Sequence, residues 1–260
     1  MSAADPKILV FQHIAVEHPG VFRDFMRGDG VEWRAVELDA GESIPDLGGY
    51  DALWVMGGPM DVWEDDLHPW LEAERAAIRE AVLERRMPFL GFCLGHQLLA
   101  QALGGEVGPA DEPEIGIFDV ELTEAGRASP LFEGVPATHA CLQWHGAEVR
   151  QPPPGARVLA ASSACAVQAL GVGDHAFSIQ YHVEITERTV REWGAVPAYG
   201  QGLERALGPD ALARFEADAS AGMGGFNRDA RRIYDNFMRI VERTGAGSGE
   251  TAGPRALAGC

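Results

Sequence analysis

Met87–Gln101, MPFLGFCLGHQLLAQ, is the stretch that most restricts how this chain can fold. An apolar run, Met87–Phe92, passes without a loop into the helical pattern Leu94–Leu103, which Gly104-Gly105 closes. A strand that feeds straight into a helix fits a sheet with helices laid on its faces. The rest of the first 105 residues repeats that alternation. Ile8–His13 reads as a buried strand, Val21–Arg27 as a short helix, and Val31–Leu38 and Tyr50–Met56 as further strands. His68-Pro69 opens a long amphipathic helix with Leu71, Ile78 and Val82 along one side. The expected fold class is α/β, with a doubly wound, mostly parallel sheet and helices on both faces.

The middle of the chain changes character. Ile115–Leu122, Thr138–Trp144, Ala156–Ser162, Cys165–Leu170 and His175–His182 are strand-like and separated by Pro/Gly turns too short for helices. Antiparallel strands, added to the sheet or beside it, are expected there. From Thr186 the pattern turns helical through Thr186–Val196, Pro209–Ser220 and Arg228–Thr244. No linker separates two domains. The expectation is a single domain over residues 1–244, with a core at 7–185 and C-terminal helices at 186–244. Residues 245–260, rich in Gly, Ala and Ser, are expected to form a disordered tail.

Charge narrows the function. Twenty-one basic against 39 acidic residues give a formal net charge of −18, which argues against nucleic acid and anionic membranes, since both need a basic face. Met1–Lys7 lacks a basic region followed by an apolar core, so no signal peptide is expected. No stretch approaches the ~20 apolar residues of a membrane span. Cys93, Cys141, Cys165 and Cys260 lie far apart, which supports neither a disulfide framework nor a zinc site. A cytoplasmic protein needing no metal or organic cofactor is expected.

Of the four thiols, Cys93 stands out. It sits at the strand–helix junction between Gly91 and Gly95, the Gly-x-nucleophile-x-Gly arrangement of a nucleophile elbow. Small neighbours are needed because the turn crowds the nucleophile's backbone. The side chain would project at the carboxyl end of the sheet, where open α/β folds bind ligands. There the helix N-terminus favours negative charge, and the Leu94 N–H is placed to meet an oxyanion. Cys141 and Cys165 lie in strand-like runs and read as core residues.

A thiolate nucleophile needs a base and a group to orient it. His13, His18 and His68 read as polar surface, and His96 shares the helical turn of Cys93, a poor approach to the sulfur. His182 ends the apolar run AFSIQY and should reach the same sheet edge. Glu184 follows at i+2, on the same side of an extended chain, where it can take the far ring N–H of His182.

GFCLGHQ, the earlier VMGGPMD and the later IQYHVE together resemble the triad class, class I, of glutamine amidotransferases. More narrowly, the chain is similar to stand-alone GMP-synthase-like amidotransferases, a group that includes γ-glutamyl peptidases. The resemblance covers about Ile8–Glu184 in order and spacing. It implies a flavodoxin-like sheet and a triad of Cys93, His182 and Glu184. It also implies an oxyanion hole from the backbone of Gly58 and Leu94, and substrate contacts from Gln97 and from the QWHG segment, including His145 and Gly146. Three positions depart from the pattern: Val183 replaces the usual proline of His-Pro-Glu, Met60 stands where a glycine is usual, and Ala147 stands where an acidic residue often follows His-Gly.

Three functions follow from these features. One is a glutaminase that passes ammonia to a separate synthetase, since the chain has no G-x-x-x-x-G-K-[ST] phosphate loop of its own. A second is an independent hydrolase of small γ-glutamyl compounds. A third is a non-catalytic binding protein on the same fold.

Overall fold

The structure is a computed structural model and describes residues 6–248. Its frame is a nine-stranded sheet formed by β1 (Lys7–Gln12), β2 (Glu32–Glu37), β3 (Ala52–Val55), β4 (Phe89–Phe92), β5 (Glu106–Leu122), β6 (Thr138–Gln151), β7 (Arg157–Ala161), β8 (Ala169–Val172) and β9 (Ala176–Ile179). The spatial order is β2-β1-β3-β4-β9-β8-β7-β5-β6. From β2 to β9 every pairing is parallel, and from β9 to β6 every pairing is antiparallel. The antiparallel strands thus extend the parallel sheet.

The helices are α1 (Phe22–Asp29), α2 (Trp70–Arg79), α3 (Leu94–Ala102), α4 (Glu124–Arg127), α5 (Thr189–Gly194), α6 (Pro197–Leu207) and α7 (Ala211–Ser248). A π turn at Glu80–Glu84 continues α2. Alternate residues of the central strands point to opposite faces. Ile8 and Val10 of β1 pack with Trp54, Phe22 of α1, and Tyr234 and Phe237 of α7. Leu9 and Phe11 pack with Leu53, Ile78 of α2 and Leu98 of α3. Both faces are covered, which is why these strands read as unbroken apolar runs. A third cluster joins Leu142 and Trp144 of β6 to Trp193 of α5 and Phe215 and Phe226 of α7.

Several boundaries differ from those expected. β5 begins at Glu106, well before Ile115, and its pairing with β6 is interrupted between Pro109 and Glu114. The prolines and the acidic run there hide a strand from pattern reading. β8 starts at Ala169, so Cys165 precedes it. α6 is a separate helix that the sequence pattern does not mark. α7 is one helix where two are expected, because burial of Phe215, Met223, Phe226 and Ile233 outweighs the poor propensity of Gly222, Gly224 and Gly225. Residues 245–248 of the expected tail lie in α7, and residues 249–260, with Cys260, lie outside the described residues. Among the described residues no helix is long and apolar enough to cross a membrane.

Candidate active site

The elbow forms because two close approaches admit only glycine. Cys93 has φ +48° and ψ −101°, a conformation that L-residues rarely adopt, and it caps α3. A Cβ on Gly91 would lie 2.6 Å from the carbonyl oxygen of Gly95, and a Cβ on Gly95 would lie 2.1 Å from that of Val55. Gly95 is therefore required by the seating of α3 on β3, as well as by the turn. The Cys93 N–H donates to Ile179 O at 2.9 Å and the Gly95 N–H to Met56 O at 3.1 Å, so β9 and β3 grip the elbow from both sides.

His182 and Glu184 lie just beyond β9, both buried. His182 Nδ1 is 2.6 Å from Glu184 Oε1, and the Val183 N–H donates to Oε2 at 3.0 Å. The Trp193 ring meets the imidazole edge-on at 4.6 Å between centroids. Burial alone would push the His182 pKa down, but the Glu184 charge and hydrogen bonds to Cys93 and Glu184 hold it well above its ordinary value. An imidazolium is therefore stabilised beside the sulfur. The segment before α1 braces Glu184 from behind: the Val21 N–H donates to Glu184 O at 2.7 Å, and a Cβ on Gly20 would lie 1.7 Å from that oxygen.

The cleft at Cys93 has a volume of about 500 Å³ and is bordered by Gly58, Leu94, Gln97, His145 and Gly146. All eight positions singled out from the sequence therefore fall in one place: five border the cleft beside Cys93, and His182 and Glu184 stand behind the sulfur. Neither the Gly58 nor the Leu94 N–H meets a backbone acceptor among the described residues. Gln97 donates to Ala147 O and to Gln180 Oε1, each at 3.1 Å, so its carbonyl oxygen is the uncommitted atom. His145 is buried, with Nδ1 3.0 Å from Ala147 O and Nε2 3.2 Å from Glu114 Oε2, off the hydrogen-bonding direction. Met60 and Ala147 also border the cleft, so two of the three departures from the family pattern touch its space.

Other titratable groups sort themselves by burial. His96 bonds Ser178 Oγ at 2.9 Å, and burial beside His145 pushes its pKa down to about 3, which leaves it neutral. Burial pushes the Cys165 thiol up to about 12 and the Cys141 thiol well above its ordinary value, so both are inert core thiols. Among the described residues no group of three or more His, Cys, Asp or Glu side chains could hold a metal ion.

Sequence reasoning missed four residues around the site. Glu17 is buried, accepts a hydrogen bond from the Tyr199 hydroxyl, and is pushed by burial up to about 7, with His182 acting against the rise. Tyr199 and Arg205, both on α6, border the cleft from the C-terminal side. His13, expected on the surface, is fully buried and bonds Gly57 O and Glu74. Partners 44, 61 and 182 residues apart leave no local signal.

The chain is similar to several known proteins. The family profile described as "Glutamine amidotransferase class-I" matches residues 25–192. A glutamine-hydrolyzing GMP synthase of Aeropyrum pernix is 38% identical over 152 residues, covering 58% of this chain and 27% of that enzyme. A subunit of the glutamine-hydrolyzing GMP synthase of Sulfolobus acidocaldarius is 33% identical, covering 58% of this chain and 76% of that subunit. The glutamine amidotransferase-like protein YfeJ of Salmonella typhimurium is 34% identical, covering 68% of this chain and 75% of that protein. The chain thus spans about a quarter of the Aeropyrum enzyme and three quarters of the other two. A crystal structure of a glutamine amidotransferase from Thermotoga maritima superposes with a TM-score of 0.81 at 27% identity, covering 92% of this chain and all of that one.

Proposed function

The chain belongs to the class-I glutamine amidotransferases, and from that premise we propose that Cys93, His182 and Glu184 hydrolyse the γ-carboxamide of glutamine. The observation that carries the reading is the contact between a sulfur held at an elbow with positive φ and a buried imidazole paired to a carboxylate. The Cys93 thiolate attacks the amide carbon, and the carbonyl oxygen becomes an oxyanion between the Gly58 and Leu94 N–H groups. The His182 imidazolium gives its proton to the amide nitrogen, the C–N bond breaks, and ammonia leaves a γ-glutamyl thioester on Cys93. Neutral His182 then takes a proton from water, whose oxygen attacks the thioester carbon; cleavage of the C–S bond releases glutamate and restores the thiolate–imidazolium pair. Glu184 keeps one His182 tautomer throughout. The uncommitted carbonyl of Gln97 and the His145-Gly146 segment within β6 receive the α-amino and α-carboxyl groups.

Ammonia goes to a separate synthetase in this reading, which the Sulfolobus acidocaldarius relative supports by being named as one subunit of a GMP synthase. Residues 1–244 act as one domain, a reading supported by burial of Tyr234 and Phe237 of α7 in the same core as β1 and β3. Glutamate and ammonia release from glutamine, with a glutamine-analogue diazo-ketone mapped by peptide mass spectrometry, tests the proposal. One adduct per chain on Cys93 is expected; an adduct on Cys141 or Cys165 overturns it.

The size and walls of the cleft favour a second reading, hydrolysis of larger γ-glutamyl compounds. About 500 Å³ exceeds what glutamine fills, and α6 lays Tyr199 and Arg205 along one wall. Faster turnover of a γ-glutamyl dipeptide than of glutamine, without a partner enzyme, decides for this reading.

A further inference from the structure

His13 is placed where it can act on the reaction without touching substrate. It follows β1 directly and is fully buried, its ring stacked on Trp70 at 5.4 Å between centroids and 20° between planes. Nδ1 lies 2.7 Å from Gly57 O, and Nε2 lies 2.9 Å from Glu74 Oε1 on α2. A carbonyl oxygen can only accept, so Nδ1 carries a hydrogen. Nε2 then faces a Glu74 carboxyl oxygen at 2.9 Å, a contact that needs one proton between the two atoms. With that proton on the ring, as the raised pKa of His13 favours, both nitrogens donate and the ring is an imidazolium paired with the Glu74 carboxyl group. Burial opposes that charge, while Glu74, the Gly57 carbonyl and the nearby carboxyl of Glu17 favour it, and the pKa of His13 lies above its ordinary value.

The acceptor matters because of the peptide it belongs to. Gly57 O and the Gly58 N–H share one trans peptide, so they point in opposite directions along one plane. A donor that fixes the carbonyl therefore also aims the N–H. The diglycine is closely packed: a Cβ on Gly57 would lie 2.6 Å from Glu17 Oε2, and one on Gly58 would lie 2.6 Å from Met60 Sδ and 3.0 Å from the His13 Cβ. A cation hydrogen-bonded to the carbonyl also polarises the whole peptide and strengthens its N–H as a donor. Stability alone is a weak reason for the pair, since a buried ion pair is often matched or bettered by apolar packing of the same volume.

We propose that His13, held by Glu74, is a positioning residue for the oxyanion hole: it fixes and polarises the Gly57–Gly58 peptide so that the Gly58 N–H meets the developing oxyanion. The proposal rests on the reading in which Gly58 supplies that donor. It predicts a defect in kcat and not in substrate binding, because the oxyanion exists only during reaction.

The test compares the full-length wild type with His13→Leu, His13→Asn and Glu74→Gln, by steady-state glutaminase kinetics and by the rate of Cys93 alkylation with iodoacetamide, read by peptide mapping. Loss of a whole oxyanion donor lowers kcat by about 10²–10³-fold. His13→Leu should lower kcat by roughly 30–300-fold, with KM and the alkylation rate within about twofold of wild type. Asparagine keeps an N–H near the position of Nδ1 without the charge, so His13→Asn should regain about tenfold of the loss; Glu74→Gln should fall between the two. If His13→Leu does not fold, Glu74→Gln carries the test by the same two readouts. Wild-type kcat in these variants, or alkylation falling in step with kcat, overturns the inference and leaves the proposed function standing. A wild type inactive on every γ-glutamyl amide overturns both.

Discussion

Two of the buried imidazole–carboxylate pairs near the site, His182–Glu184 and His13–Glu74, differ in how the chain brings them together. His182 and Glu184 are two residues apart, and a single extended strand end delivers both. His13 and Glu74 are 61 residues apart, one after β1 and the other on α2, and they meet only once the helix has packed on the sheet. The first pair faces the sulfur. The second faces a backbone carbonyl one peptide removed from the proposed oxyanion donor. In the proposed mechanism the same donor–acceptor chemistry thus serves a side chain that exchanges protons in one place and a peptide that holds still in the other.

Removing the groups that make bonds or carry protons should separate the pairs most widely. Cys93→Ala eliminates the proposed nucleophile, and turnover on glutamine and on any γ-glutamyl dipeptide the wild type accepts should fall to background. His182→Ala should lose nearly as much, since His182 is the imidazole beside the sulfur and His96 is held neutral. Both losses should exceed that of His13→Leu by at least about a hundredfold in kcat. Equal losses for His182→Ala and His13→Leu would erase the distinction between the pairs.

The carboxylates should rank below their histidines. Glu184→Gln keeps the size and one acceptor but loses the charge that favours the imidazolium, and in comparable triads the orienting carboxylate contributes about a hundredfold less than the nucleophile or base. Measurable kcat with little change in KM is expected. Stopped-flow detection of the thioester would show both its formation and its hydrolysis slowed, because His182 acts in each step.

That contrast also explains what can be read from the sequence. The parallel sheet and its elbow are legible because each central strand is a continuous apolar run and because Gly91, Cys93 and Gly95 are close neighbours in sequence. His182 and Glu184 are legible for the same reason. The Glu74–His13 pair and the Glu17–Tyr199 contact are not, since a lone histidine at a strand end and a glutamate in a loop look like ordinary solvent-facing residues until distant elements bury them. The seventeen-residue β5 is masked by its prolines, and the continuity of α7 by its glycines, because in both cases tertiary pairing or burial overrides a local breaker.

Glu17 lies between the pairs, with His182, His13 and Glu184 all contributing to its electrostatic surroundings and Tyr199 bonded to it. Its carboxyl titrates at about 7 in the folded protein against 4.5 ordinarily, because burial favours the neutral form. Between those values the folded state holds a proton that the unfolded chain has released. The stability linked to Glu17 is therefore fully present below about pH 4.5 and is lost as pH rises through 7, by up to about 3 kcal/mol. Glu17→Gln keeps an acceptor for Tyr199 and cannot ionise, so its Tm relative to wild type should improve from pH 5 to pH 8. A Tm difference that does not change with pH would place the charge elsewhere. Because the carboxyl touches both the Gly57 side and α6, loss of kcat with that improved Tm would show that its charge serves the site.

The smallest expected effect touches only the first pair. Val183 stands where the family usually has proline, and from sequence alone restoring the proline should be tolerated. The structure adds a specific loss: the Val183 N–H donates to Glu184 Oε2 at 3.0 Å, and proline has no N–H to give. Glu184 Oε1 would keep its contact with His182, so the carboxylate would lose one anchor and retain the other. The fixed φ of proline stiffens the same turn and offsets part of that loss. Val183→Pro should therefore lower kcat by only a few-fold, with the His182 ionisation seen in the pH–rate profile moving slightly, while His13→Leu leaves that ionisation in place. A loss as deep as that of Glu184→Gln would mean that the Val183 N–H, and not the His182 contact, is what holds the carboxylate in line.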